Sequence, residues 1–481
     1  MSGLIAYGAY VPRHRLDRSQ IGAVLGSGGG RGSRAVAGYD EDPTSMAVEA
    51  ARPVVGRLGA GVGPERLLYA TTSPPYLDKT NANVVHAALR LDPSVLAVDM
   101  VGSVRSGVGA LLMAAEAPVP TLAVLSDVRT GLPGGADERE GGDAACAFLF
   151  GEGGPVVAEL LASASVTDEF LDRWRLPGSS ASRVWEERFG EHVYVPLADA
   201  AFADALKKAG LAPADVDVLV PTGLHSRAVR VFAGASGVAR VADGLAASVG
   251  NAGCAHPGLL LASALDSAPP GTTIALVVLA DGATAMIFRT TEAITAYQSR
   301  TPVESTVAGQ VQAGDRAVPY ARFLSWRGFL TKEPPRRPDP VGPAAPPSHR
   351  SESYKYGFVG HRCDECGTVH LPAVRVCVSC KAVDRMTPIP MSEQLGTVVT
   401  FTIDHLAYSP SPPVIAAVVD FDGGGRFACE LTDADPDRIA IGDRVEMTFR
   451  RVITAGGVHN YFWKARPTGP APTAPTVTKE S

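Results

Sequence analysis

The stretch DMVGSVRSGVGAL, Asp99–Leu111, decides how the chain is read. An apolar strand, LAVDM, runs into a small-residue turn and then into the helix-forming run SGVGALLMAAEA. This predicts a strand, a tight elbow and a helix N-terminus. Such an elbow suits a nucleophile, because helix N–H groups and the helix dipole lower a thiol pKa. The residue at its tip is Val104, which is aliphatic and can do no such chemistry.

Outward from the elbow, residues 1–165 alternate strand-like and helix-like runs. LIAYGAYVP, RLLYATTS, LAVDM, TLAVLSD and AACAFLFG read as strands, and DPTSMAVEAARPVVGRL and NANVVHAALRL as helices. GSGGGRGSR reads as a mobile glycine-rich loop. The order recurs over residues 166–331: LADAAFADALKKAG helical, VDVLVPTG a strand, HSRAVRVFAGA and GLLLASALD helices, TTIALVVLAD and ATAMIFRT strands. Apolar strands separated by helices imply a buried sheet with helices on its faces. Two halves of like element order imply a pseudo-duplicated α/β fold.

Composition shifts near residue 332. The proline-dense run KEPPRRPDPVGPAAPPSHR is read as an extended linker over 332–351. A cysteine cluster follows within 352–390. Then come the alternating runs GTVVTFTI, PVIAAVVDF, RFACEL, DRVEMTFRRV and HNYFWKA, which predict a small barrel or sandwich over 391–466. The Pro/Thr-rich segment 467–481 is read as a disordered tail.

The cluster CDECGTVHLPAVRVCVSC sets Cys363, Cys366, Cys377 and Cys380 as C-x2-C, ten residues, C-x2-C. Two residues between thiolates let both bind one ion from a tight knuckle, and a hairpin brings two knuckles together. Four thiolates close a tetrahedron and leave no open position, so the expected metal is structural Zn²⁺; ligands alone do not exclude iron. His361 and His370 are surplus to a complete set. Cys146, Cys254 and Cys429 read as core.

The chain has 481 residues, 46% of them hydrophobic and 20% charged, with a net charge of −6. That composition fits a globular protein with a large core. The acidic balance argues against nucleic acid. The longest apolar run, IALVVLA, is far short of the roughly 20 residues a membrane helix needs. The first residues lack the pattern of a signal peptide, and clustered cysteines suit a reducing compartment, so a cytoplasmic setting is expected.

The motifs AYGAYVP, DMVGSVRSGVGAL, GDAACAFLFGEG, VDVLVPTGLHSRAV, SVGNAGCAHPGLLLASALD, LVVLADGATAMIF and YARFLSWRGFL resemble the thiolase superfamily. Within it, the resemblance is to the 3-hydroxy-3-methylglutaryl-CoA synthase and ketoacyl-ACP synthase III branch. Residues 352–466, through the ribbon and LTDADPDRIAIGDRVEMTF, resemble the zinc-ribbon plus OB-fold proteins that accompany thiolases. The resemblance implies a five-layered αβαβα fold, an acyl-CoA substrate or ligand, and a homodimer formed through the first half.

Carried over position by position, the family's cysteine falls on Val104, its glutamate on Thr72 and its histidine on Thr222. Its asparagine is kept as Asn251, and a synthase tyrosine two residues on falls on Gly253. Valine forms no thioester, and threonine has no pKa suited to proton transfer near neutrality. Losing one member of a nucleophilic unit already costs most of its rate.

His225 and His256 flank these segments and are candidates for a relocated acid/base pair with Asn251. The plainer alternative makes them a helix-start residue and a packing residue. Ser103 and Ser106 read as elbow and cap. Arg105 reads as a partner of a CoA phosphate or of a surface acid. In the fold this resemblance implies, the region of Asp127 and Arg129 serves packing and the dimer interface, with no chemistry assigned. Two functions follow from the resemblance. One is a non-nucleophilic synthase-like subunit of a multicomponent acyltransferase, which scaffolds a separately encoded thiolase and guides the acyl-CoA. The other is a lyase cleaving a β-hydroxyacyl-CoA by a retro-aldol reaction, which needs a base and an oxyanion pocket but no cysteine.

Overall fold

A computed structural model describes residues 3–58, 63–152, 154–333, 336 and 341–468. The chain divides into two compact units, Met1–Lys332 and Glu333–Ser481.

The first unit is built on nine strands. We label them β1 (Gly3–Tyr10), β2 (Arg66–Thr71), β3 (Leu96–Val101), β4 (Thr121–Val128), β5 (Asp143–Gly151), β6 (Ala158–Val166), β7 (Val218–Gly223), β8 (Thr273–Leu279) and β9 (Ala283–Thr290). They hydrogen-bond in the order β7-β8-β9-β6-β1-β5-β4-β2-β3. Within the sheet, β1 and β6 pair at one ladder position, Leu4 with Ala158. Each half repeats one pattern of pairing. From β1 outward the pairs are antiparallel to β5, antiparallel to β4, parallel to β2 and parallel to β3. From β6 outward they are antiparallel to β9, antiparallel to β8 and parallel to β7. The second half then lacks a fifth strand. A single bridge, Leu219 to Val241, stands in its place. The duplication expected from element order is thus present in strand direction, with one strand reduced to a stub.

The helices that matter here are α1 (Pro43–Gly56), α2 (Ala82–Ala88), α3 (Arg105–Ala115), α4 (Glu187–Ala209), α5 (Ser226–Ala235) and α6 (His256–Leu265). α1 starts where Asp42 and Ser45 cap one another, with Pro43 in the first turn. Helices α3 and α6 pack against each other. α6 also touches strands of both halves, so these two form the middle layer. Their crossing is close: a Cβ at Gly107 would collide with the Cys254 carbonyl. The strand β5 is buried along its whole length, as its apolar run predicts for a central strand.

Several local expectations are corrected. The glycine-rich loop is followed by a short strand, Ser33–Val36, and is tied down by Ser33 N–H to Ala247 O at 2.9 Å and Ala35 N–H to Val249 O at 2.8 Å. α4 begins ten residues before the run LADAAF, because it carries Pro196 in its interior. In the linker, Ala345–Arg350 is helical, with prolines in its first turn where no N–H is needed. Residues 334, 335 and 337–340 lie outside the described residues, as does the tail from 469; Pro467 ends the last strand.

In the second unit, strands β10 (Val359–Cys363), β11 (Val369–His370) and β12 (Met386–Pro390) form a small sheet in the order β11-β10-β12. Strands β13 (Gly396–Asp404), β14 (Val414–Phe421), β15 (Arg426–Leu431), β16 (Arg444–Ala455) and β17 (Val458–Pro467) close into a barrel in the order β13-β14-β15-β17-β16. Val398, Val419, Val445, Met447, Phe449 and Trp463 fill its core. Phe358, at the head of the ribbon, stacks on Trp463 with centroids 5.7 Å apart.

Candidate functional site: a sealed elbow, an open cavity and a thiolate cluster

The elbow forms as its sequence predicts. β3 ends at Val101, Val104 is the last residue before α3, and Ser103 Oγ accepts from Arg105 N–H at 3.2 Å. Val104 is 7% exposed. Arg105 is tied to neighbouring loops. Its guanidinium donates to Ala280 O at 3.2 Å, to Thr167 Oγ1 at 2.9 Å and to the Asp281 carbonyl. It therefore ties the elbow to the β8–β9 turn.

Next to the elbow the structure brings together residues that the sequence left apart. Asp127, at the end of β4, is fully buried. It accepts from Thr72 Oγ1 at 2.8 Å, from Thr72 N–H at 3.2 Å and from Cys254 N–H at 3.1 Å. Arg129 Nη1 donates to Thr72 Oγ1 at 3.4 Å, and the Arg175 guanidinium donates to the Thr72 carbonyl. Gly253 has φ of +57°, and a Cβ there would strike Asp127 Oδ2 and lie 2.7 Å from Arg129 Cδ. The position that carries a tyrosine in the synthase motif therefore has no room for a side chain. The Asp127 carboxylate occupies that space. Asp127 is the acceptor at the centre of this network. A lone Asp after a strand gives no signal of this, because its donors come from residues 55 and 127 positions away.

Cys254 points into the core, its Sγ 3.4 Å from Ala70 O, and burial beside Asp127 holds its thiol well above the usual range.

On the other side of Asn251 lies an open cavity of about 420 Å³. Its walls include Thr222, Asn251 and His256, with Arg18, Arg129, Arg230, Asp137 and Glu140 as the charged groups. Val104 and Thr72 are not in its lining. The cavity runs beside the stub at Val241 and Ala242, where the second half lacks its fifth strand. Asn251 is held rigidly. Its Nδ2 donates to Gly223 O at 2.9 Å, its Oδ1 accepts from Gly253 N–H at 3.0 Å, and its backbone bonds Glu140 and Gly142.

The two candidate histidines differ. His225 Nδ1 accepts from Ala228 N–H at 3.0 Å and so caps α5. His256 is buried in the cavity wall. Burial pulls its pKa down to about 4, and the Gly244 backbone is its hydrogen-bond partner. Its Nδ1 has no partner among the described residues. At neutral pH the ring is uncharged, with an unused lone pair on Nδ1. A base with pKa near 4 is a weak proton acceptor at pH 7.

In the second unit, one Sγ from each of Cys363, Cys366, Cys377 and Cys380 lies within 4.8 Å of all the others. Cys363 to Cys380 is 3.6 Å and Cys366 to Cys377 is 3.5 Å. A tetrahedron with metal–sulfur bonds of about 2.3 Å has edges of about 3.8 Å, so the donor set fits one thiophilic ion. Each knuckle closes on backbone bonds, Gly367 N–H to Cys363 O and Lys381 N–H to Cys377 O. His361 and His370 pair across β10 and β11 and stand outside the four-thiolate group.

The family model for the C-terminal OB-fold domain of ChsH2 matches residues 390–450. The hydroxymethylglutaryl-CoA synthase of Methanopyrus kandleri is 30% identical over 321 residues, covering 63% of this chain and 91% of that protein. Among solved structures, 3-oxoacyl-(acyl carrier protein) synthase III, FabH, from Pseudomonas aeruginosa superposes with a TM-score of 0.53 at 23% identity, over 60% of this chain and 98% of that one. MvaS in complex with 3-hydroxy-3-methylglutaryl coenzyme A gives a TM-score of 0.55 at 20% identity, over 71% of this chain and 94% of that one.

Proposed function

The chain belongs to the hydroxymethylglutaryl-CoA synthase family, and from that premise we propose that it handles an acyl-CoA as a non-nucleophilic subunit of a thiolase-type acyltransferase assembly. The observation that carries this reading is the closed space at Gly253. The Asp127 carboxylate and the side chain of Arg129 fill it, while a cavity stays open beside Asn251. Val104 offers no nucleophile for a thioester, and a ligand pocket remains. A coenzyme A thioester is the natural occupant, since the solved relative MvaS was captured with one.

The edge strand β3 leaves Leu96 and Val101 exposed, with Met113 exposed on α3, which supports a homodimer through the first half. The ribbon and barrel would serve to engage a separately encoded thiolase. Zinc is the proposed ion at the four thiolates. Elemental analysis is expected to find one zinc per chain, lost in Cys377→Ser; iron in its place would overturn that assignment. Among the described residues no helix is long and apolar enough to cross a membrane.

The tagged full-length chain, purified from cells that make it, is expected to bring down a thiolase in near-equal amount. Intact mass after incubation with acetyl-CoA is expected to show no acyl adduct. A monodisperse homodimer that ignores added thiolase at micromolar concentration, or an acyl adduct on the chain, would sink the proposal.

The retro-aldol alternative draws on one residue, His256, which stands in the cavity wall with its Nδ1 buried and without a partner among the described residues. There His256 would take the β-hydroxyl proton, the Cα–Cβ bond would break, and its electrons would pass into the thioester enolate. The depressed pKa of His256 and the capping bond of His225 both weigh against it. Turnover of a β-hydroxyacyl-CoA by the purified chain, abolished in His256→Ala, would favour it over the first reading.

A further inference from the structure

We propose that residues 318–327 form a strap that sets one wall of the cavity and the backbone of Asn251, with Tyr320 and Arg327 as its positioning residues. No described residue of the strap lines the cavity. It acts on the cavity through the wall alone.

That wall is the stretch 129–142. It supplies Arg129, Asp137, Glu140 and Gly141 to the lining. Its last residues also fix Asn251, whose N–H donates to Glu140 O at 2.8 Å and whose carbonyl accepts from Gly142 N–H at 2.9 Å. Within the wall lies a five-residue helix, Ala136–Glu140, which is too short to be stable on its own. The wall is therefore held by what grips it from outside.

Two buried carboxylates provide the grip. Asp143 is fully buried and accepts from Arg129 N–H at 2.9 Å and from Ala37 N–H at 2.7 Å. It thereby closes one end of the wall on the other. Glu138 is also fully buried and accepts from Gly134 N–H at 2.7 Å. Burying two carboxylates is costly unless each meets a strong partner.

The strap brings those partners. Arg327 donates to Asp143, and the Tyr320 hydroxyl donates to Glu138 at 3.0 Å. Arg34, fully buried, is the second cation on Asp143 at 3.3 Å. Phe323 lies on the helix Tyr320–Trp326 and holds both guanidiniums against its ring, 5.1 Å from Arg34 and 5.3 Å from Arg327. Leu16, Ile21 and Val36 complete the apolar seat of Val318, Tyr320 and Phe323. Release of the strap removes one positive charge and one hydroxyl, and leaves both buried carboxylates facing Arg34. Water must then enter, and the wall loosens. A ligand that fits the cavity with its wall in place also stabilises the docked strap.

The test is hydrogen exchange, read by mass spectrometry, on the full-length chain, first without ligand. Amides of 129–142 are expected to exchange about tenfold or more faster in Arg327→Gln, as for loss of a hydrogen bond between charged groups. Strand β8 and helix α4 are expected to exchange as in wild type, which a loss of global stability would not allow. Arg327→Lys keeps the charge and is expected to recover part of the protection. Tyr320→Phe is expected to loosen the same wall by a smaller factor, and it carries the comparison if Arg327→Gln does not fold. Acetyl-CoA is then added, and this arm alone rests on the acyl-CoA reading. Wild type is expected to gain protection over 318–327, and Arg327→Gln to bind acetyl-CoA about fivefold or more weaker. Unchanged exchange over 129–142, or faster exchange spread evenly through the first unit, overturns the inference. So does acetyl-CoA binding that leaves the strap unprotected and is indifferent to Arg327→Gln. If acetyl-CoA binds neither protein, the acyl-CoA reading falls and the ligand-free exchange decides the strap.

Discussion

The two halves of the first unit share one order of strand pairing yet treat their elbows in opposite ways. In the first half, β3 leads through Val104 straight into α3, and the buried Asp127 carboxylate gathers donors from Thr72 and Cys254. In the second, the matching strand is a stub at Val241, Asn251 stands before α6, and a cavity of about 420 Å³ remains. A pseudo-duplicated fold can therefore hold a close-packed polar network on one side and an open cavity on the other. The packed side is ordered by a buried carboxylate with three hydrogen-bond donors.

The sharpest way to break that comparison is Asp127→Ala. It leaves Thr72 Oγ1, Thr72 N–H and Cys254 N–H without their acceptor and Arg129 without a neighbouring counter-charge. Losing one side of such a buried charged network costs about 3–5 kcal/mol. Chemical denaturation is expected to show that loss, with Asp127→Asn milder; a change under about 1 kcal/mol would mean that the seal is not held by this carboxylate.

A slightly smaller effect is expected from acid on the open half. The unfolded chain protonates a histidine near pH 6.5, whereas folded His256 does so only near 4. Between those values the unfolded state binds more protons, so stability falls as pH drops, by about 3 kcal/mol in all. His256→Gln is expected to flatten that part of the stability profile. An unchanged slope would place the acid sensitivity elsewhere.

The smallest energetic effect belongs to Val104→Cys, below about 1.5 kcal/mol for a swap of similar volume. Its value is chemical. A thiol restored at the elbow is expected to yield no acyl adduct by mass spectrometry, because Thr72 is engaged by Asp127 and Val104 does not line the cavity. An adduct would show that the elbow still opens to substrate.

Much of this fold was legible because its strands are nearly pure apolar runs and its helices follow small-residue turns. The positions that the resemblance assigns to the family's polar groups were counted from Asp99, along the Asn251 segment and past the strand RLLYAT. What stayed hidden was set by tertiary contact. Asp127 gains its role from Thr72 and Cys254, and Arg18 reaches the cavity from far along the chain. Pro196 hid the first turns of α4, because proline ordinarily marks a boundary. The cysteine spacing, in contrast, carried its geometry in the sequence, since each knuckle is local.

The bond from Cys254 N–H to Asp127 also sets an order of events during synthesis. Its partners are 127 residues apart, so at about 5–20 residues per second the first half is made on the order of ten seconds before the second can complete it. In that interval Asp127 has its Thr72 donors but lacks the Cys254 donor. The nascent first half must therefore keep this carboxylate hydrated at a site that later becomes dry, and the completion of its network is timed by the arrival of the second half.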